Sequence, residues 1–122
     1  MPVQYRFDSN IIIIEMVGEY STDEPRAAVL SALADSACPA NAVLPINLDQ
    51  SQSIYERTSN EVKNMALFIA SLGKRFNNRV ALVAPDDLPY GLMRQGTVGS
   101  EEIGIQAEVF RDFTKAREWL LS

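Results

Sequence analysis

Val3, Tyr5 and Phe7 alternate with Gln4, Arg6 and Asp8, the two-residue period of a strand with one face buried. Asp8-Ser9-Asn10 is turn chemistry. Residues 10–17 are a largely β-branched run that stops at Gly18, so the two strands should close as an antiparallel hairpin. Ser21-Thr22-Asp23-Glu24-Pro25 reads as a helix start, with a hydroxyl to cap it, acids in the first turn and an early proline. Val29, Leu30, Leu33, Ala34 and Ala37 then recur at helical spacing until Pro39 ends the element. Residues 43–48 form an apolar strand in which Pro45 predicts an edge position or a bulge.

A second helix opens at Ser59 or Asn60 and carries Val62, Met65, Ala66, Ile69 and Leu72 as its core stripe. Leu67 falls off that stripe. Phe76-Asn77-Asn78 breaks the helix, and residues 79–84 read as a strand that is continuously apolar after Arg79, the pattern of an interior parallel position. Pro85-Asp86-Asp87-Leu88-Pro89 caps a third helix beginning near Tyr90, with Gly96 and Gly99 expected to break or bend it. Residues 106–110 make a last strand, and Phe113, Ala116, Trp119 and Leu120 pattern a C-terminal helix. The order β-β-α-β-α-β-α-β-α predicts a single α/β domain over 1–122. Its sheet should have about five strands, mainly parallel with one antiparallel strand at the start. Helices on both faces and helices mostly on one face both fit the pattern.

Charge and composition narrow the function. The 122 residues carry a net charge of -5, unsuited to nucleic acid or an anionic membrane as the main partner. There is no histidine and only one cysteine, Cys38. That composition removes histidine acid–base chemistry, the Ser-His-Asp and Cys-His nucleophile systems, most transition-metal sites and any intrachain disulfide. No catalytic residue, metal or cofactor is expected. The first residues lack a signal-peptide pattern, and no apolar run, Ile11 to Ile14 included, comes near the length of a membrane span. Together with the unpaired thiol this predicts a cytoplasmic protein.

In open α/β sheets ligands gather where strand C-termini meet helix N-termini. Three segments should meet there: Ser21-Thr22, residues 49–59 and residues 85–94. The second is a loop of about ten residues, longer than most such connections. Asp49, Ser51 and Ser53 are its candidate ligand or partner contacts, and Thr58 and Ser59 its candidate phosphorylation sites. Tyr90 and Arg94 stand one helical turn apart, able to hold a carboxylate or phosphate between them, or to pair with Asp86 or Asp87. Ser71-x-x-Lys74 lies at a helix end with no companion motif, and the glycines at 96, 99 and 104 match neither a dinucleotide fingerprint nor a P-loop.

The opening Pro2-Val3-Gln4-Tyr5-Arg6-Phe7-Asp8 resembles the first strand of the bacterial SpoIIAA-like family, within the broader STAS-type and CRAL-TRIO-type domains. The stretch from Arg79 through Ala84-Pro85-Asp86-Asp87-Leu88-Pro89-Tyr90-Gly91 resembles that family's fourth strand and following helix. Val109-Phe110-Arg111-Asp112 with Ala116 and Trp119-Leu120 resembles its ending. In STAS regulators a serine at the start of the second helix is phosphorylated; by position Thr58 and Ser59 resemble it, within Arg57-Thr58-Ser59-Asn60. The resemblance implies a non-enzymatic regulatory or protein-interaction module. Its CRAL-TRIO side implies instead a carrier or sensor of a small apolar or amphiphilic ligand, held between the third helix and the sheet near Tyr90, Met93 and Arg94. The expected partners are therefore a protein or a small amphiphile, without nucleic acid or stable membrane insertion. A homodimer stays open, with Ile11–Ile14 or Leu67 as its patch.

Overall fold

The computed structural model describes residues 3–39, 42–76, 79–84 and 86–122, apart from the side chains of Asp49, Phe76, Ser100 and Ile103. Strand β1 (Val3–Asp8) and strand β2 (Ile11–Gly18) form the expected hairpin, with Tyr5 opposite Ile14 and Phe7 opposite Ile12. Helix α1 (Asp23–Ala34), strand β3 (Leu44–Ser51), helix α2 (Ser59–Ser71) and strand β4 (Arg79–Val83) follow. The chain continues through helix α3 (Asp87–Gly96), strand β5 (Gln106–Phe110) and helix α4 (Phe113–Leu120). The sheet order is β1-β2-β3-β4-β5, antiparallel only between β1 and β2. Each crossover therefore returns the chain one strand along.

The isoleucine run is buried on both sides of the sheet. Ile12 and Ile14 join Leu44, Ile46, Val80 and Leu82 in the larger core, with Val29 and Leu33 of α1, Val62 and Ile69 of α2 and Met93 of α3. Ile11 and Ile13 join Val43, Ala81 and Val83 beneath Ala116 and Leu120 of α4. Helices thus cover both faces unequally, three against one. The run is not available as a subunit contact, whereas Leu67 is exposed as its off-stripe position predicts.

Three local expectations change. Pro45 is neither on an edge strand nor at a bulge: β3 is the middle strand, and Pro45 is among its fully buried residues. The β2–β3 ladder is interrupted between the Ile11–Val43 bridge and the Ile14–Ile46 pair, where the proline lacks its N–H, while pairing with β4 continues through Ala81. The actual irregularity in register lies further along β3, where the step from Asn47 to Gln50 is one residue longer than the facing step from Glu15 to Val17 on β2. On α1 the core-facing residues are Ala28, Val29, Ala32 and Leu33, leaving Leu30 and Ala34 exposed. Helix α3 begins at Asp87, so Pro89 sits in its first turn, where an N–H has no helical partner anyway. It breaks at Gly96, one of the two outcomes expected there, and Gly99 follows in the left-handed region at φ 83°. Pro85 lies outside the described residues. Among those described, no helix is long and apolar enough to cross a membrane.

Candidate functional site

The segment after β3 is only partly solvated: Gln52, Tyr55, Glu56 and Thr58 are exposed, whereas Ser53 and Ile54 are buried. Strand β3 runs on to Ser51, and a 3-10 turn, Ser53–Glu56, leads to α2. Ser51 and Ser53 are each only 4% exposed, which removes them as ready contacts for a phosphate or polar head group. Both are bound to Tyr20, just beyond β2. The Tyr20 and Ser51 hydroxyls lie 2.5 Å apart, and Ser51 Oγ also accepts from the Ile54 N–H. Ser53 Oγ accepts from the Tyr20 N–H at 2.8 Å and donates to its carbonyl at 3.1 Å. Arg57 Nη2 donates to that same carbonyl at 2.6 Å, with the guanidinium 5.4 Å from the Tyr20 ring. Polar letters that read as loop are a latch holding the ends of β2 and β3 together. Burial pushes the Tyr20 phenol above its usual range, only partly opposed by the Ser51 hydrogen bond and the Arg57 charge.

Thr58 is committed too. Its hydroxyl accepts from the Glu61 N–H, while the Glu61 carboxylate accepts from the Thr58 N–H at 2.9 Å, a reciprocal capping box. That backbone donor holds the Glu61 carboxyl below its usual range. Ser59, the first helical residue, is exposed. The expected hydroxyl cap of α1 is absent: Thr22 makes no capping bond, and Glu24 accepts the Ser21 N–H instead. Asp49 belongs to β3, but its side chain lies outside the described residues.

Tyr90 and Arg94 share a face of α3, outside the lining of the cavity beneath α2. Arg94 is exposed and reaches the Tyr90 hydroxyl at 3.5 Å, not Asp86 or Asp87. Asp86 accepts from the Tyr55 hydroxyl, which raises the Tyr55 phenol out of its usual range. Asp87 pairs with Arg111 at 2.7 Å, and the Arg111 guanidinium lies 4.0 Å over the Tyr90 ring. Of the expected cluster, Tyr55 and Asp86 do meet, joining the segments after β3 and β4. The arginine from the turn before α4 was not foreseen.

The concave site lies elsewhere on the sheet. Helices α1 and α3 rest directly on strands, whereas α2 packs chiefly on α3 and the turn after it. Beneath α2 is a cavity of about 200 Å³, floored by Met16, Ile46, Leu48, Val80 and Leu82 and roofed by Val62, Ala66 and Ile69. Met93 and Thr97 close it toward α3. Exposed Thr22 and Asn64 mark its opening between α1 and α2, with Tyr20, Arg26, Arg57 and Glu61 beside them. Arg26 carries a signal that pattern reading passed over. It stands three residues before Val29 and seven before Leu33, an arginine on the stripe that faces the core. Its Nε is buried without a hydrogen-bond partner, and its guanidinium lies 5.6 Å from the Phe68 ring. Among the described residues, no group of three or more carboxylates and thiols gathers to hold a metal.

No protein-family profile matches the sequence, and a search of curated proteins finds no significant relative. Among solved structures, an uncharacterised DUF3478-family protein from Shewanella loihica PV-4, described as having a SpoIIAA-like fold, superposes with a TM-score of 0.58 at 17% identity. The match covers 97% of this chain and 91% of that one. A second structure, Mglu in its native form, reaches a TM-score of only 0.26 at 18% identity, over 88% of this chain and 26% of its own, too low to bear on the fold. Element order, sheet topology and the first superposition agree: this chain has the SpoIIAA-like fold.

Proposed function

We propose that the protein is a recognition module, without bond-making chemistry of its own, that binds a small and largely apolar molecule beneath α2. The observation that carries this reading is the cavity, a largely apolar space of about 200 Å³ with most of its polar side chains at one opening and Thr97 at its far end. Binding sites for small molecules have this character, mostly apolar walls with a few placed polar groups. The occupant is smaller than the molecules that fill typical ligand pockets of roughly 300–1,000 Å³. The carrier reading thus gains over a protein-interaction module, but at a different place from the one expected, with Met93 at its edge and Tyr90 and Arg94 outside it.

Titration with octan-1-ol followed by backbone-amide NMR tests the reading. Resonances of Met16, Leu48, Val62 and Ile69 should shift together and saturate, and Ala66→Phe, which fills the space, should abolish the effect. Shifts scattered over the surface, or none, would refute it. A regulatory role worked through phosphorylation keeps one residue in its favour: Ser59 is exposed in the first turn of α2. A phosphate there would place about two negative charges at the N-terminus of α2, where they are favoured. Mass spectrometry of the protein from its own cells tests this; a Ser59 never found modified removes that role.

A further inference from the structure

We propose that the cavity takes a monocarboxylate with a short apolar tail, its charged end held by Arg26. This rests on the reading of the cavity as a ligand site and adds the chemical class of the ligand. Three observations converge. Arg26 lines the cavity as a half-buried residue, and its enclosed Nε lacks a hydrogen-bond partner among the described residues. A charged donor left unmade away from water is costly, and native structures seldom keep one without a purpose.

Second, no acid among the described residues answers it. The ion pairs among the described residues are Arg6–Glu15, Arg111–Asp87 and Arg117–Asp8, none at the cavity. The titratable groups that line the cavity are Tyr20, Arg26, Arg57 and Glu61. Arg57 is turned to the Tyr20 carbonyl, and Glu61 is held by the Thr58 N–H. One net positive charge is left at the opening of a chain whose overall charge is -5. That charge matches a monoanion. A dianion such as a phosphate monoester would be undercompensated beside Glu61. A carboxylate also fits the planar fork of a guanidinium.

Third, the volume sets the tail. An apolar cavity of roughly 150 Å³ accepts benzene, so the space under α2 suits a tail of about six to eight carbons. Helix α2 then acts as the roof over the tail, and α1 presents the arginine to the head group.

Calorimetric titration of the full chain with octanoate, octan-1-ol, octylammonium and octyl phosphate tests the proposal. Octanoate should bind roughly tenfold or more tightly than octan-1-ol, the worth of a charge-assisted hydrogen bond, with octylammonium weakest. Arg26→Met keeps the apolar stem and removes the guanidinium. It should weaken octanoate roughly ten- to hundredfold and leave octan-1-ol unchanged. Because the first comparison uses the unaltered protein, the proposal stays falsifiable even if the variant folds poorly. Equal binding of octanoate and octan-1-ol, or an octanoate affinity indifferent to a folded Arg26→Met, overturns the head-group assignment while the cavity reading stands. Octyl phosphate binding more tightly than octanoate overturns the choice of carboxylate. No binding by any of the four overturns both inferences.

Discussion

Gly91 and Gly96 sit in the same helix with opposite surroundings. A Cβ built at Gly91 meets nothing within 4 Å, whereas one at Gly96 would fall inside the Val62 side chain of α2. Gly91→Ala should therefore stabilise the protein by about 1 kcal/mol, the helix-propensity gain in open space. Gly96→Ala should destabilise it by about 1–3 kcal/mol, because overpacking outweighs that gain. Chemical denaturation of the two variants separates them. Tyrosine ionisation supplies a second residue-scale prediction. Tyr20 is raised by burial, and Tyr5 and Tyr55 by their hydrogen bonds to Asp35 and Asp86. Each is higher folded than unfolded, so the folded state binds more protons once the unfolded phenols begin to ionise. Their contribution is fully present below about pH 10 and lost as pH rises beyond it. Thermal unfolding midpoints should fall on that alkaline limb, and Tyr20→Phe should flatten the fall; an unchanged slope would exclude Tyr20 as a contributor.

At the scale of elements, the capping box of α2 gives the next expectation. Thr58→Ala removes the hydroxyl that satisfies the Glu61 N–H and should cost about 1 kcal/mol. Ser59→Ala, at an exposed helical position, should stay within about 0.5 kcal/mol by the same denaturation measurement. Most elements were legible because their periods are strong: the alternation of Val3, Tyr5 and Phe7, the Val62–Ile69 stripe and the Val80–Val83 run all became what they predict. Two kinds of information were not. Side chains that read as soluble by type, Ser51 and Ser53, are buried because Tyr20 returns to meet them over a separation of 31 and 33 residues, which no local window contains. Pro45 misled in the other direction, since a parallel ladder tolerates one missing donor where the neighbouring strand keeps its pairing. The candidate site was displaced for a related reason. Arg26 was visible on its helical stripe, but the space it borders depends on how far α2 stands from the sheet.

Across the whole molecule, the strand order decides where a ligand fits. Doubly wound sheets bind at the point where the order reverses. Here the order β1-β2-β3-β4-β5 never reverses, so that crevice is missing and the space opens under a helix instead. A roof held chiefly by its neighbours should be the least protected of the helices. Amide hydrogen exchange should be faster in α2 than in α1 or in strands β2 to β4, and a bound octanoate should slow it. Protection of α2 equal to that of the central strands would contradict this. The same uninterrupted order bears on how the chain assembles. Every strand pairs with the one before it, so each added β-α step closes only a short stretch of polypeptide onto a template already laid down. Growth can then spread outward like a zipper from any adjoining strands, and loosening the last step, β5 with α4, should leave the earlier ones able to form.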